Sequence, residues 1–504
     1  MRFLDKLKKP VVFLSIIVML ALTVTDSVKA GDEPYDTYNY DYREDVVPTP
    51  SAYTPSKSIL GTDLEYNGEN IGAFVSPQDL CRSDDGNVYV ADTGNNRIVV
   101  LDGTLSKVVN IITTFDNDGV EDKFNAPYGV CVSENGQIYV ADSQNSRVVV
   151  LNKDGSLARI VANPQSASLE EGYVFTPLKV TVDYADRVYC IAQNMFEGIM
   201  VFETDGSFSG FFGTIDVEVS LWEKFWKRIA TKEERKKQKL YIPTEFTGID
   251  VDADGFIYAT NIDESGIQAV RRLNPRGEDV IKKGENENVG GDLRGVTSLS
   301  TYGGASQFTD VVYRGKGMYT TLDRKRGRIF TYDHEGNLLY IFGGIGTQKG
   351  TFGSPVAVEA IGSKIVVLDS LRANISVFEE TEYGKLINEA IGLRYDGDET
   401  LAVEKWQEVL KLDENNELAN TGIGKAYLTA GDNKLAMKYL KLGMNREYYS
   451  IAFRRYRNEV IADHLSAVLT VIIVLIVALI VLSKVRKKRK AAKVKAEKGG
   501  DQVG

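Results

Sequence analysis

Residues 77–101 read PQDLCRSDDGNVYVADTGNNRIVVL, and residues 127–151 read PYGVCVSENGQIYVADSQNSRVVVL. The two stretches begin 50 residues apart and keep proline, tyrosine, aspartate and arginine at equivalent places. Each holds three short runs rich in β-branched residues, separated first by a glycine turn and then by an Asp-to-Arg turn. The sequence therefore predicts tandem units of antiparallel strands with a period of 50 residues.

Weaker copies of this unit follow along the chain. They lie over residues 177–202, residues 250–258 with Asn261 in the aspartate place, residues 323–332 and residues 355–378. Six units over residues 58–381 leave roughly 50 residues for each, which is enough for four strands and their turns. A radial array of four-stranded sheets is a propeller and leaves few exposed strand edges. We therefore predict an all-β, six-bladed propeller over residues 58–381.

The units resemble the NHL repeat, whose pattern runs P-x-G-[VIL]-A-V, then G-x-[IV]-Y-V-A-D, then N-x-R-[VI]. The residues that match it best are Asp92, Asn95 and Arg97 in the first unit and Asp142, Asn145 and Arg147 in the second. Later units depart from it, with Glu197 and Asn374 in the arginine position. The resemblance implies a propeller fold but leaves the ligand open, because propellers host many functions.

The aspartate and arginine of each unit are five residues apart across a tight turn. Asp92 with Arg97 and Asp142 with Arg147 are predicted to form structural ion pairs that fix this turn. A role of the pairs in ligand binding is the alternative.

The two ends of the chain predict its relation to a membrane. Residues 1–30 combine a basic start, a short apolar run and small residues near Ala30, typical of a signal peptide or an uncleaved signal anchor. Residues 465–483 hold 19 uncharged positions, enough to span one bilayer core as a helix. The basic tail at 484–504 marks the cytoplasmic side. We expect a single-pass cell-membrane protein with its N-terminal domains extracellular and its tail cytoplasmic.

The composition of the chain excludes several classes of function. The net charge of the whole chain is −10, but residues 31–483 alone are more acidic, with 46 basic and 66 acidic side chains. Such an acidic ectodomain argues against nucleic-acid binding. Two histidines and three cysteines in the whole chain exclude histidine-rich zinc catalysis and a disulfide scaffold. Cys81 and Cys131 recur at one place in successive units and are expected to be buried small residues too far apart to bridge.

Between residues 383 and 460 the period changes to 34 residues and the spacing becomes helical. Gly397-Asp398 and Leu401-Ala402 recur as Gly431-Asp432 and Leu435-Ala436. This stretch resembles tetratricopeptide repeats, with residues 446–460 as a capping helix. The resemblance implies either a groove that binds peptides or proteins, or a rigid spacer above the membrane.

One segment interrupts the propeller pattern at residues 220–239. Its apolar residues fall on one face of a predicted helix, while the rest of the segment holds eight basic and three acidic side chains. Packing against the propeller, docking of a partner and contact with an anionic membrane are all open to such a helix. The candidate interaction residues are Trp222, Phe225, Trp226, Lys227 and Arg228.

Few residues suggest chemistry. Asp250, Asp252 and Asp254 fit the first half of a calcium loop, but Asn261 stands where the bidentate glutamate would be. They are therefore weak candidates for Ca²⁺, and we assign no catalytic residue and no cofactor. Propeller lactonases similar to gluconolactonases hold a metal in the central channel, and no compact ligand set for such a site is evident here.

Residues 31–57 are rich in tyrosine, proline and acidic residues, and we interpret them as a flexible leader. Tyr38, Tyr40 and Tyr42 nevertheless alternate like a strand, so the leader could also close the ring or bind a partner. Taken together, the sequence predicts a membrane-anchored extracytoplasmic scaffold that binds other membrane or envelope proteins through its propeller and helical repeats. An accessory role in a transport or envelope complex is open to such a scaffold. Its small-molecule ligand is unknown, and the alternative is a metal-dependent lactonase-like hydrolase in the propeller channel.

Overall fold

The structure is a computed structural model that describes residues 33–166, 168–169, 172–214, 245–263, 268–283, 290–292 and 304–500. It contains a six-bladed β-propeller followed by a helical region. The first strands are β1 (Tyr38–Tyr40), β2 (Val46–Pro48), β3 (Tyr53–Leu60), β4 (Glu65–Tyr66) and β5 (Glu69–Asn70). Blade 1 consists of β6 (Asp79–Arg82), β7 (Val88–Asp92), β8 (Arg97–Leu101) and β9 (Val108–Ile112).

The next three blades follow in chain order. A small hairpin, β10 (Thr114–Asn117) and β11 (Val120–Lys123), precedes blade 2. Blade 2 consists of β12 (Pro127–Val132), β13 (Ile138–Asp142), β14 (Arg147–Leu151) and β15 (Leu157–Val161). Blade 3 consists of β16 (Pro177–Val182), β17 (Val188–Ala192), β18 (Ile199–Phe202) and β19 (Phe208–Phe212). Blade 4 has three strands in the described residues, β20 (Phe246–Val251), β21 (Ile257–Asn261) and β22 (Val270–Leu273).

Blades 5 and 6 complete the ring. Blade 5 consists of β23 (Phe308–Gly315), β24 (Met318–Asp323), β25 (Arg328–Tyr332) and β26 (Leu338–Phe342). The short parallel pair β27 (Gly344–Ile345) and β28 (Thr351–Phe352) leads into blade 6. Blade 6 contains β29 (Pro355–Ile361), β30 (Lys364–Asp369) and β31 (Asn374–Glu380), and its fourth strand is β3 from the N-terminal side of blade 1.

Strand β3 closes the propeller ring. It pairs antiparallel with β31, with Ile59 opposite Ile375. The boundary predicted at residue 58 falls inside this strand, so the interpretation of residues 31–57 as a flexible leader needs correction. The physical reason is that β31 would otherwise be an unpaired edge, and the leader supplies its hydrogen-bonding partner. Tyr38 of β1 is likewise buried, against the core of blades 4 and 5.

The propeller's hydrophobic core lies between adjacent blades. Its members are the β-branched and aromatic residues that alternate along the middle strands, such as Val99 between blades 6 and 1 and Val149 between blades 1 and 2. Both side chains are fully buried. Because each strand is covered on both faces, these strands read as nearly continuous apolar runs in the sequence.

The helical region contains five helices in the described residues. They are α1 (Glu382–Tyr395), α2 (Glu399–Leu412), α3 (Glu417–Ala430), α4 (Asn433–Leu442) and α5 (Arg446–Gly500). Helices α2 and α4 begin at equivalent points of the 34-residue period, because Asp398 and Asp432 each cap a helix by accepting a hydrogen bond from the backbone amide three residues on. Trp406 of α2 is 1% exposed.

Helix α5 is continuous from Arg446 to Gly500. The predicted capping helix at 446–460, membrane span at 465–483 and basic tail therefore form one helix over this range rather than separate segments. The reason is local: no proline or glycine occurs between residues 446 and 498 to interrupt it. The helix is long and apolar enough to cross a membrane, and its most apolar window is not covered by any other part of the protein that the structure describes.

Candidate functional site

The innermost strand of each blade presents alternate side chains to the central channel. Strand pairing places two sets of equivalent residues there. The first channel layer contains Asp79, Gly129, Lys179, Gly248, Asp310 and Ala357. The second channel layer contains Cys81, Cys131, Thr181, Asp250, Val312 and Glu359. These two layers are the candidate functional site, because a propeller ligand that reaches the axis meets them.

Lys179 joins three blades across the first channel layer. Its Nζ lies 2.5 Å from Asp79 Oδ1 and 3.3 Å from Asp310 Oδ1. All three residues are buried. Burial acts to lower the pKa of Lys179, but the nearby Asp310 and Asp79 carboxylates outweigh it and raise the pKa, so the ammonium stays charged.

The channel carboxyls also tie neighbouring blades together through backbone amides. Each accepts a hydrogen bond from an N–H group of the innermost strand of the next blade. The pairs are Val130 N to Asp79 at 3.0 Å, Tyr313 N to Asp250 at 2.6 Å, Val358 N to Asp310 at 2.9 Å and Arg82 N to Glu359 at 3.0 Å. These bonds join blades 1 to 2, 4 to 5, 5 to 6 and 6 to 1. The channel carboxyls thus connect neighbouring blades of the ring by hydrogen bonds.

Burial changes the acid–base behaviour of this site. Desolvation raises the pKa of Asp250 to about 7 and that of Glu359 to about 8, and the Asp250 charge adds to the effect on Glu359. Desolvation also raises the pKa of Asp310 to about 6, although Lys179 opposes it. The second channel layer can therefore carry protons near neutral pH.

The space left between these side chains is small. The channel cavity measures about 40 Å³, and Asp79, Asp250, Asp310 and Glu359 all line it. A single water needs at least about 10–15 Å³ by a comparable measure, so the cavity holds only a few waters. The arrangement can exchange protons and hold the blades together, and the cavity between these side chains is smaller than an organic substrate.

Cys81 and Cys131 occupy equivalent places in the second channel layer, as the sequence predicted. Both line the cavity, and both are half-buried rather than fully buried. The neighbouring Cys131 and burial raise the pKa of the Cys81 thiol. Both cysteines are free, so they are not bridged, as the sequence analysis expected.

The Asp–Arg pairs of the first two units lie at the turn between the second and third strands of their blades. Arg97 Nε is 2.7 Å from Asp92 Oδ2, and Arg147 Nε is 2.9 Å from Asp142 Oδ2. The other carboxylate oxygen of Asp92 accepts a hydrogen bond from the backbone amide of Val75, which belongs to the loop that enters the blade. The pairs are thus part of the blade framework and lie away from the channel layers.

The three carboxylates considered for Ca²⁺ do not converge. Asp250 faces the channel, whereas Asp252 accepts hydrogen bonds from Asp254 N and Phe256 N and forms an ion pair with Arg272 at 2.6 Å. Asp254 is exposed. Alternation along β20 separates Asp250 from the turn, and within the described residues no group of three or more acidic, histidine or cysteine side chains is placed to hold a metal ion.

The predicted interaction residues Trp222, Phe225, Trp226, Lys227 and Arg228 lie outside the described residues, as does the predicted signal peptide at 1–30. The sequence analysis missed Lys179, Asp79, Asp310 and Glu359, and it considered the channel carboxyl Asp250 only as a weak Ca²⁺ candidate. A signal for them did exist, because Asp79 and Lys179 stand two residues after the repeat prolines Pro77 and Pro177. A charged residue at one fixed place in an otherwise apolar strand of the period indicates a channel-facing position.

The geometry of these units agrees with a comparison of the sequence with protein families. The family model described as NHL repeat matches residues 74–101 and 124–151. The chain contains NHL repeats. The two matched segments correspond to the first three strands of blades 1 and 2, each with its Asp–Arg turn. A comparison with curated protein sequences finds no match.

Several solved structures are similar to the chain at low identity. Virginiamycin B lyase from Staphylococcus aureus is 12% identical, covers 64% of this chain and 99% of its own, and has a TM-score of 0.40. A putative gluconolactonase is 12% identical over 66% and 94% of the two chains, with a TM-score of 0.37. A Bacteroides thetaiotaomicron protein of unknown function is 13% identical over 64% and 75%, with a TM-score of 0.42. At these values they assign neither a ligand nor a reaction to this chain.

Proposed function

We propose that this protein is a membrane-anchored scaffold whose propeller and helical repeats bind other proteins of the membrane or cell envelope. The observation that carries the proposal is the occupied channel: Lys179 and the channel carboxyls satisfy one another and the neighbouring backbone. A propeller whose axis is closed by its own paired side chains offers its outer surfaces to partners. NHL repeats are compatible with this role.

The proposed placement follows from helix α5. Residues 465–483 provide the apolar span, and the basic run at 484–490 favours the cytoplasmic side for the tail. The propeller and the helical repeats then stand outside the cytoplasm. There, the acidic ectodomain can attract basic surfaces of partner proteins.

The lactonase alternative has one feature in its favour. Asp250 and Glu359 have pKa values raised toward neutrality, as general acids in enzymes often do. The channel cavity of about 40 Å³ nevertheless leaves no space for a sugar lactone beside them. Lactone hydrolysis by the purified protein that disappears in Glu359→Gln would favour the alternative over the scaffold.

The scaffold proposal is tested by affinity capture of the full-length protein from cross-linked membranes, followed by mass spectrometry. We expect a reproducible set of membrane or envelope proteins. The Trp222→Ala, Trp226→Ala double variant should remain folded and lose partner capture if residues 220–239 dock the partner. The matched control is Val109→Ala with Val120→Ala, which alters two exposed propeller residues.

The outcomes separate the two parts of the proposal. If the tryptophan variant captures the same partner proteins as the parent, residues 220–239 do not dock the partner, and the scaffold binds its partners through another surface. Absence of any specific partner, across independent preparations of folded protein, would contradict the scaffold itself.

A further inference from the structure

A second cavity lies between blades 4 and 5 and the C-terminal end of α1. Its volume is about 130 Å³, roughly three times that of the channel cavity. It is lined by aromatic residues of both blades and of the helix, together with a few polar groups. The residues that matter below are Tyr258, Arg272, Tyr313, Tyr319, His334 and Tyr395.

Two polar atoms of this lining lack a hydrogen-bond partner. Tyr319 Oη and His334 Nδ1 are both buried, and neither has a partner within the part of the chain that the structure describes. The Tyr319 side chain is only 1% exposed, so bulk water does not reach its hydroxyl. Leaving such a group unsatisfied is unfavourable, and the cavity beside it is where a partner would lie.

The buried charged groups of the cavity already have partners, and Lys282, the remaining charged residue of the lining, is exposed to solvent. Arg272 forms its ion pair with Asp252 at 2.6 Å and packs over the Phe256 ring. Asp333 accepts a hydrogen bond from Asn337 Nδ2 at 2.9 Å. Burial lowers the pKa of His334, which favours its neutral imidazole. An uncharged ligand therefore suits this cavity better than an anion or a cation, because a charged ligand would remain unpaired inside it.

Much of the remaining lining is aromatic, and Val280 and Ile281 add aliphatic surface. The Tyr258 and Tyr313 rings are nearly parallel with centroids 5.6 Å apart, and Tyr395 meets His334 edge-to-face at 5.4 Å. Such faces and edges favour a planar ring as their neighbour. Cavities of about 150 Å³ in proteins accept one benzene ring, so a volume of about 130 Å³ is suited to a single six-membered ring.

From these observations the geometry points to a binding site for a small, uncharged aromatic molecule that carries one hydroxyl group, of which phenol is the simplest. The ring packs among the tyrosines, and the hydroxyl bonds to Tyr319 Oη, which belongs to the more deeply buried of the two residues. The site is separate from the channel layers and does not depend on the scaffold proposal.

The test is isothermal titration calorimetry of the full-length protein in detergent with phenol as the probe. We expect saturable binding with one site per chain. Toluene lacks the hydroxyl, benzoate carries a charge and cyclohexanol lacks the planar ring, so each should bind at least about ten-fold more weakly. Equal binding of toluene and phenol would show that the polar atoms play no part and would overturn the assignment.

Two matched variants identify the site. Tyr319→Phe keeps the ring and removes the unpartnered hydroxyl, so phenol affinity should fall about ten-fold. Tyr139→Phe alters a buried tyrosine in blade 2 and should leave it unchanged. Melting curves without phenol check folding, and Tyr319→Phe should melt at or above the parent temperature because it deletes an unsatisfied group. A lower melting temperature would mean that bound water already satisfies Tyr319, and, like unaltered phenol affinity, it would contradict the proposal.

Discussion

Lys179 is the residue on which the centre of the propeller depends. It is a buried ammonium shared by Asp79 and Asp310, which belong to blades 1 and 5. A buried ion pair adds little over an apolar replacement of the whole group, but removal of one partner leaves unpaired buried charge. The three residues should therefore behave as one unit in mutagenesis.

The first prediction concerns this unit. Lys179→Met should lower the free energy of unfolding by about 3–5 kcal/mol, because two buried carboxylates lose their counter-charge. Denaturant unfolding of the purified protein measures the change. The control is Lys153→Met, which removes an exposed ion pair with Asp85 and should cost less than about 1 kcal/mol. Equal effects of the two substitutions would contradict the role given to Lys179.

A second residue-scale prediction uses the raised pKa of Glu359. The folded state raises it from 4.5 to about 8, so the folded protein holds this proton over a pH range in which the unfolded chain has lost it. The contribution of Glu359 to the free energy of unfolding is fully present below the pKa that this group has in the unfolded chain. It is lost as the pH rises through the pKa that the group has in the folded protein. Glu359→Gln should therefore gain stability relative to the parent as pH rises from 5 to 8.

Melting temperatures of parent and variant across this pH range give the difference, in which the titrating groups that do not interact with Glu359 cancel. Glu121→Gln, at an exposed carboxylate, is the matched control and should give a flat difference. A flat difference for Glu359→Gln as well would show that its carboxyl is not desolvated in the folded protein.

At the scale of elements, strand β3 closes the ring by pairing with β31. It is 8 residues long and supplies the outer strand of blade 6 although it precedes blade 1 in the chain. Ring closure by a strand from the opposite end of the propeller makes its N- and C-terminal parts mutually dependent. The blades should consequently unfold together rather than one by one.

The third prediction tests this closure. Ile59 of β3 is 6% exposed and packs in the core between blades 6 and 1. Ile59→Asp should destabilise the propeller by at least about 3 kcal/mol, because it buries a charge and removes apolar contact. Val47→Asp, on the exposed strand β2, should stay within about 0.5 kcal/mol. Thermal unfolding combined with limited proteolysis measures the stability of both variants. An Ile59→Asp variant as stable as the parent protein would refute the closure of the ring by β3.

At the scale of the whole molecule, the apolar residues serve two different environments, the interior of the propeller and the surface of helix α5. The propeller is held by cores between blades, whereas residues of α5 such as Ile473 and Leu479 expose large apolar side chains. Exposed apolar surface on this scale is unfavourable in water and is covered when the helix lies in a bilayer.

The fourth prediction concerns this anchor. The full-length protein should stay in the membrane pellet after alkaline carbonate extraction, and a variant that ends at residue 460 should be released. For orientation, Asp118→Cys in the propeller and Gln502→Cys in the tail can be probed on intact cells with a membrane-impermeant maleimide. We expect labelling at residue 118 only, above the parent background. Labelling at residue 502 alone would reverse the proposed topology.

The sequence by itself determined the repeat and the architecture built from it. The 50-residue period, the alternation of β-branched residues and the turn residues Asp92 and Asp142 are local features, and local features predict blades. The 34-residue period likewise predicted a helical region, and the structure shows that the recurring Asp398 and Asp432 cap helices α2 and α4.

Only the tertiary structure decided which residues meet at the axis and what closes the ring. Asp79 and Lys179 are 100 residues apart in the chain, and β3 finds β31 more than 300 residues away. Such contacts depend on the number of blades and on the convergence of their innermost strands, which the pattern within one repeat does not contain. For the same reason, the cavity between blades 4 and 5, with its unpartnered Tyr319 hydroxyl, is a property of the assembled ring.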